Sequence, residues 1–184
     1  MEEISVEITS AKHSGYAEKI SKLIEQASRE PHTGLALRSP EYLLEKINAG
    51  QAVIALTSSK ELCGFCYIES WQHGRYIANS GLVVAPEYRG IGLAAIIKRK
   101  IFKLSSRLYP TALLFGLTTS EAVMKINTQL GYRPVSFSAL TSDEQFWAGC
   151  KTCSFYDVLE RTGRKNCLCT AMLYKPPIEK PGVS

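Results

Sequence analysis

Apolar and polar residues alternate over Ile4-Ser-Val-Glu-Ile8, as they do in a half-buried strand. The period then lengthens. Tyr16, Ile20, Leu23, Ile24 and Ala27 recur at helical spacing, and Ser14 is the expected N-cap. Pro40 followed by Tyr42, Leu43 and Ile47 predicts a second helix that stops at Gly50. Ala52–Leu56 reads as a short buried strand; Ser58–Glu61 turns it into a second, Leu62–Glu69, and a third runs from about Tyr76 to Val84, an antiparallel meander. Helical spacing returns at Leu93, Ile97, Ile101, Leu104 and Leu108, with Lys98, Arg99, Lys103 and Arg107 on much of the other face, until Pro110 ends it. Ala112–Phe115 is almost wholly apolar, as a central strand is. Ala122, Val123, Ile126 and Leu130 mark another helix with Gly131 as its C-cap, and strands are predicted over Tyr132–Phe137 and Asn166–Tyr174. The class is α/β (α+β): a mixed, mostly antiparallel central sheet flanked by helices.

The 184 residues, 45% hydrophobic and 21% charged, suffice for one compact domain and exclude wholesale disorder. Residues 1–140 form the expected core, 141–175 a cysteine-bearing extension completing the same domain, and 176–184, with Pro176, Pro177 and Pro181, a flexible tail. No stretch approaches the roughly 20 apolar residues of a membrane span. The acidic start Met-Glu-Glu-Ile-Ser has no basic region or apolar run of a signal peptide, so a cytoplasmic protein without a membrane partner is expected. Six cysteines in that compartment argue against a disulfide framework. The net charge of +5 is mild. Its densest cluster, Lys98–Lys103, is expected on a solvated helix face, so an anionic small ligand accounts for the bias and no nucleic-acid partner is expected. A homodimer is left open.

Chemistry concentrates in Gly81-Leu-Val-Val-Ala-Pro-Glu-Tyr-Arg-Gly-Ile-Gly-Leu-Ala94, which runs from a strand through a proline turn into the long helix. Glycines let the backbone approach a ligand closely. The first N–H groups of a helix lack internal acceptors and, with the helix dipole, attract anions. Arg89 adds a charge beside Gly90, Ile91, Gly92, Leu93 and Ala94. The segment reads as a diphosphate cradle. It lacks the Gly-Lys-Ser/Thr ending of a P-loop and the third glycine of the dinucleotide fingerprint.

Arg89-Gly-Ile-Gly92-Leu-Ala94 resembles the cofactor signature of the GNAT acetyltransferase superfamily, Arg/Gln-x-x-Gly-x-Gly/Ala, and the likeness extends over roughly residues 4 to 137. It implies acetyl-CoA as cosubstrate. Backbone N–H groups of residues 90 to 94 would hold its diphosphate, and backbone groups of Val83 and Val84 would pair with the pantetheine arm as with an added strand. A weaker resemblance, over Gly131-Tyr-Arg-Pro-Val-Ser-Phe-Ser-Ala-Leu-Thr141, is to the acetyltransferase domain of bacterial N-acetylglutamate synthases. The implied activity is acetyl transfer to a small amine, plausibly an amino acid such as glutamate. A non-catalytic acyl-CoA sensor and an acetyltransferase of protein or another small amine are the alternatives.

Such transfer needs a base for the amine, a donor for the thioester oxygen and a proton for the thiolate. The resemblance implies an oxyanion donor near Leu82 or Val83. Glu69, ending its strand, is the candidate base, against the reading of a solvated strand-end carboxylate; His73 is a second candidate. Asn79 and Ser80 are candidates for substrate contact. Family members often carry a tyrosine acid four residues before the glycine after the fourth helix; here that position is Asn127, which can bind the cofactor and cannot supply the proton. Tyr132 and Tyr88 are weak substitutes. Arg38, Arg75 and Arg133 are available to a substrate carboxylate.

Cys150-Lys-Thr-Cys153 and Cys167-Leu-Cys169 carry enough thiols for a structural zinc, yet their spacing fits no standard module and cysteines also fill cores; no metal site is assigned. Cys63 and Cys66, on a strand, are expected to face opposite ways within the core.

Overall fold

The computed structural model describes residues 2–31 and 33–177. From residue 178 onward the expected tail lies outside the described residues. Strand β1 (Ile4–Ile8) pairs antiparallel with β2 (Ala52–Thr57), β2 with β3 (Leu62–Trp71), and β3 with β4 (Tyr76–Val84). Strand β4 then runs parallel to β5 (Leu113–Thr118), which pairs antiparallel with β7 (Thr170–Tyr174), itself paired with the two-residue β6 (Arg133–Pro134). The resulting sheet has the order β1-β2-β3-β4-β5-β7-β6.

Helices α1 (Ala17–Ser28) and α2 (Pro40–Asn48) cover one face. Their Ile20, Leu23, Ile24, Leu43 and Ile47 are buried with Ile54, Phe65 and Tyr67 of the sheet. On the other face α3 (Leu93–Leu108) lays Leu93, Ile97, Ile101 and Leu104 over Val53, Ile68, Ile77 and Leu114, with Met124 of α4 (Glu121–Gln129) packed at the margin. Helices α5 (Glu144–Gly149) and α6 (Tyr156–Arg161) place Trp147 and Leu159 against Phe115, Ala171 and Leu173. Successive strand residues point to opposite faces. Because Leu114 and Met172 meet α3, Phe115 and Leu173 put this extension on the α1/α2 side.

Several sequence expectations shift here. Ser14 does not cap α1: a 3-10 turn over Ala11–Tyr16 precedes it, begun by Ser10, whose backbone N–H donates to His13 Nδ1 at 3.1 Å. Ser14 Oγ instead donates to Ala11 O and Asn48 Oδ1. The buried stripe of α3 is displaced: Leu108 is 45% exposed while Lys98 is 2% exposed and Ser105 fully buried. Lys100 donates to Val6 O at 2.6 Å, so the basic cluster is split between interior and surface. Strand β6 is confined to Arg133–Pro134: Val135 N–H still donates to Ala171 O at 3.0 Å, and Phe137–Ala139 then turn instead of extending the strand. Strand β7 starts at Thr170, since Thr162 Oγ1 holds the N–H and C=O of Asn166 in a bend. Helices α5 and α6 fall where the sequence suggested only a cysteine-bearing extension. Cys63 and Cys66 are buried in the same cluster as Val53 and Ala55, not on opposite faces. The β2–β3 register slips beside Cys63, where Ala55 faces Gly64 but Leu56 faces Leu62, and this bulge resets the alternation.

Candidate active site

Strands β4 and β5 pair only from Tyr76–Leu113 to Ala78–Phe115. Beyond that point β4 follows β3 to Val84 and β5 follows β7 to Thr118, so the two part as a V. A cleft of ≈ 910 Å³ includes this opening, with Asn79–Val84 on one wall and Gly116–Ser120, Val123, Ile126 and Asn127 on the other. The edge of β4 between Asn79 and Val84 therefore faces the cleft instead of a strand.

That edge is bent. Phe65 lies opposite Val83 and Tyr67 opposite Ser80, which leaves Gly81 and Leu82 as a bulge against Cys66. Gly81 has φ +62, and a Cβ there would enter the Tyr67 ring, so both backbone and packing require glycine. Val83 is buried toward α1 and α2, while Leu82 and Val84 pack toward α3.

From β4 a turn over Pro86–Tyr88 leads through Arg89, Gly90, Ile91 and Gly92 into α3. Side chains of Ser39, Ser120 and Asp143 cap α2, α4 and α5, but α3 begins on Gly92 at φ +81 with no side-chain cap and no acidic residue in its first turn. Gly90 has φ +79, and a Cβ at either glycine would meet nothing within 4 Å. The positive φ accounts for glycine at both positions, and the open room beside them would admit an anion resting on the amides of Gly90 to Ala94. Leu93 turns its side chain into the core; Ile91 is exposed. The Arg89 guanidinium sits on Glu30.

Past the V, on the α1/α2 side, Glu69 near the end of β3 is only 8% exposed, which removes the reading of a solvated strand-end carboxylate. Ser80 Oγ donates to its Oε2 at 3.0 Å, Tyr42 Oη donates to Oε1, and Arg38 Nη2 stands 3.5 Å from Oε1. Burial, and then the Glu69 charge, push the Tyr42 phenol well above its ordinary pKa and keep it a donor. Lys46, from the next turn of α2, lies 5.4 Å over the Tyr42 ring and has its pKa lowered by burial. Arg38, Tyr42, Lys46, Glu69 and Ser80 all line the cleft. Arg75 stacks over Tyr76 outside it, Arg133 is exposed on β6, and His73 is exposed in the β3–β4 turn at φ +55. Tyr42 and Lys46 were missed in the sequence; their i, i+4 spacing on a helix of ordinary amphipathic pattern carries no signal beyond a surface stripe.

Asn127 is 1% exposed, and its Oδ1 has no hydrogen-bond partner among the described residues. The amide lies across the V from β4, beside Gly116. Neither alternative acid reaches the cleft. Tyr132 is fully buried under α3, and Tyr88 donates to Glu61, which together with burial pushes its phenol up to about 12. Asn79 turns its side chain inward, donating to Ser105 Oγ at 2.7 Å.

Cys150, Cys153, Cys167 and Cys169 gather on the extension's wall of the same cleft. Among the described residues no three His, Cys, Asp or Glu side chains stand close enough to hold a metal ion. Burial raises the Cys150 thiol to about 11. Among the described residues no helix is long and apolar enough to cross a membrane.

Residues 20–108 match the model of the Acetyltransferase (GNAT) family. No curated protein matches the chain. Among solved structures it is similar to N-acetylglutamate synthase from Neisseria gonorrhoeae, bound to coenzyme A and N-acetyl-glutamate, with TM-score 0.68 and 18% identity over 97% of this chain and 36% of that one. The chain thus spans about a third of that protein. It is also similar to diaminobutyrate acetyltransferase from Paenibacillus lautus, bound to L-2,4-diaminobutyric acid and coenzyme A, with TM-score 0.65 and 11% identity over 99% of this chain and 100% of that one. Phosphinothricin acetyltransferase from Sinorhizobium meliloti, bound to AcCoA, gives TM-score 0.64 and 11% identity, covering 98% and 94%. At these identities the likeness establishes the fold.

Proposed function

The chain carries a GNAT acetyltransferase domain across residues 20–108, and from that premise we propose that it is an acetyl-CoA-dependent N-acetyltransferase whose acceptor is a small amine bearing a carboxylate, an amino acid such as glutamate. The observation that carries this reading is the opening between β4 and β5, beyond Ala78 and Phe115, into which the β4 edge and the mouth of α3 both lead. A cytoplasmic role in amino-acid metabolism is the corresponding setting.

Acetyl-CoA supplies an acetyl group activated as a thioester. The chain's own residues divide the remaining work. Amides of Gly90, Ile91, Gly92, Leu93 and Ala94 hold the diphosphate, with Arg89 fixing the loop before them. Backbone groups of Leu82, Val83 and Val84 pair with the pantetheine arm, and the bulge at Gly81 and Leu82 aims an N–H at the carbonyl oxygen as it gains charge. The orphan Oδ1 of Asn127 accepts from an amide of the arm. Glu69 takes the proton of the attacking amine, directly or through water. Arg38, aided by Lys46, meets the acceptor's carboxylate in the same cleft.

The test has two stages. Titration calorimetry should show binding of coenzyme A; no binding overturns the reading at its base. Coenzyme A release is then followed with glutamate, its amides, diaminobutyrate and polyamines. Turnover with a carboxylate-bearing amine, lost when that carboxylate is amidated, supports the acceptor assignment. Preference for polyamines overturns it, and tight binding without any turnover points to an acyl-CoA sensor.

A further inference from the structure

Lysine is among the residues least often fully buried without a partner, because its ammonium loses hydration that only a counter-charge or several acceptors restore. Lys98, in the second turn of α3, is 2% exposed, and among the described residues it forms no ion pair. Its Nζ stands 3.4 Å from the backbone carbonyl of Asn79 and 5.6 Å from the centroid of the Tyr132 ring. Asn79 is the first β4 residue beyond Ala78, the last to pair with β5, so the ammonium sits at the apex of the V. It also lines the cleft, with Ser80, Gly116 and Asn127.

We propose that Lys98 is the catalytic acid of this site, giving its proton to the sulfur of the departing thiolate. The inference rests on the acetyltransferase reading above. Three observations lead to it. The position that the family resemblance assigns to a tyrosine acid holds Asn127, which has no proton to give. Tyr132 and Tyr88 do not line the cleft. An arm whose diphosphate rests at Gly90–Ala94 and which follows β4 from Val84 toward Asn79 ends at the apex, where Lys98 waits.

The arrangement also separates the two proton transfers. Glu69 and Ser80 project on the α1/α2 face of the sheet, whereas Lys98 enters from α3 on the other. The amine loses a proton on the first face, and its lone pair forms the new C–N bond. The C–S bond breaks with its electron pair on sulfur, Lys98 Nζ–H protonates that sulfur, and water returns a proton to Lys98. Burial lowers the Lys98 pKa, bringing its acidity toward that of a thiol. The titratable groups facing it are Cys66 of β3, whose thiol burial raises to about 11, and Tyr132, raised further by burial; both stay neutral near pH 7 and leave the ammonium uncompensated.

The decisive readout is ionisation of the bound thiol. Thiolate absorbance of the coenzyme A complex is titrated against pH, using the complex with desulfo-coenzyme A to subtract the protein's own cysteines. In the native protein the bound thiol should ionise at lower pH than free coenzyme A; ionisation at the free value overturns the role of Lys98 while leaving the cofactor reading intact. In Lys98→Met the midpoint should rise by about one pH unit, with kcat down about 100-fold and KM for the amine within a few-fold. Lys98→Arg, which keeps the charge but holds its proton, should retain the low thiol midpoint and lose rate. A fall in kcat with no change of the thiol midpoint in Lys98→Met marks a structural lysine and overturns the proposal. If the native protein does not bind coenzyme A, the acetyltransferase reading fails and this inference with it.

Discussion

Arg89 closes on Glu30 with both arms of its guanidinium, Nη1 to Oε2 at 2.9 Å and Nη2 to Oε1 at 2.8 Å, while its Nε donates to Val84 O at 3.0 Å. The side chain named for its charge therefore ties the turn before α3 to the residue just past α1 and to the end of β4. Its first contribution is the position of the amides beside it. Arg89→Ala and Glu30→Ala should each weaken coenzyme A binding several-fold, and the double variant no more than either alone, as expected of an exposed pair acting as one unit. Calorimetric titration of the three variants checks this; tighter binding in Glu30→Ala would show instead that Arg89 is released onto the phosphates.

Glu69 accepts from Ser80 and Tyr42 beside Arg38, so its carboxylate is fixed toward the cleft. Glu69→Gln should lower kcat by about 100-fold or more with KM for the amine little changed. An unchanged kcat in the variant, or a loss confined to KM, removes Glu69 as the base.

Asn127 holds a buried acceptor that nothing among the described residues satisfies. Replacing a buried unsatisfied group by an apolar one of similar size is neutral or stabilising. Asn127→Leu should therefore match or exceed the native protein in urea unfolding without ligand, and lose about 10-fold in coenzyme A affinity. Loss of stability without loss of affinity would assign the amide to the fold.

Gly81 combines φ +62 with the Tyr67 ring in the place of a Cβ. Gly81→Ala should cost about 3 kcal/mol in urea unfolding, the sum of backbone strain and overpacking. A variant of native stability would show that the bulge repacks freely.

His13 is buried, and its neutral Nδ1 accepts the Ser10 N–H. Burial, and then the neighbouring Lys12 charge, lower its pKa below the ordinary value of 6.5. The unfolded chain then binds a proton more readily than the folded one, so stability is full above about pH 6.5 and falls as pH drops through that range. Urea midpoints at pH 7.5 and 5.5 should differ in the native protein more than in His13→Asn.

The glycine turn that opens α3 was legible because its signal is local. Gly90 and Gly92 adopt the positive φ that their residue type permits, and α3 starts at Leu93 directly after them. Glu69 was legible as a strand-end carboxylate, but its partners were not. Arg38 and Tyr42 reach it from sequence separations of 31 and 27 residues, and no periodicity links a loop, a helix and a strand end. A lysine beside Arg99 and Lys100 reads as surface, so the sequence alone puts Lys98 on the solvated face. Only the gap left where β4 and β5 separate makes room for its ammonium inside.

The sequence by itself determined the order of the main strands and helices from β1 to α4 and the glycine-marked mouth of α3, since these follow from side-chain period and backbone freedom within a few residues. Tertiary structure decided which groups share the cleft: the β4 bulge at Gly81, the parting of β4 from β5 after Ala78, and the approach of Glu69 and Lys98 from opposite faces. Those relations are set by strand register and by packing between distant segments, and a register change of one residue would turn Glu69 or Ser80 to the other face.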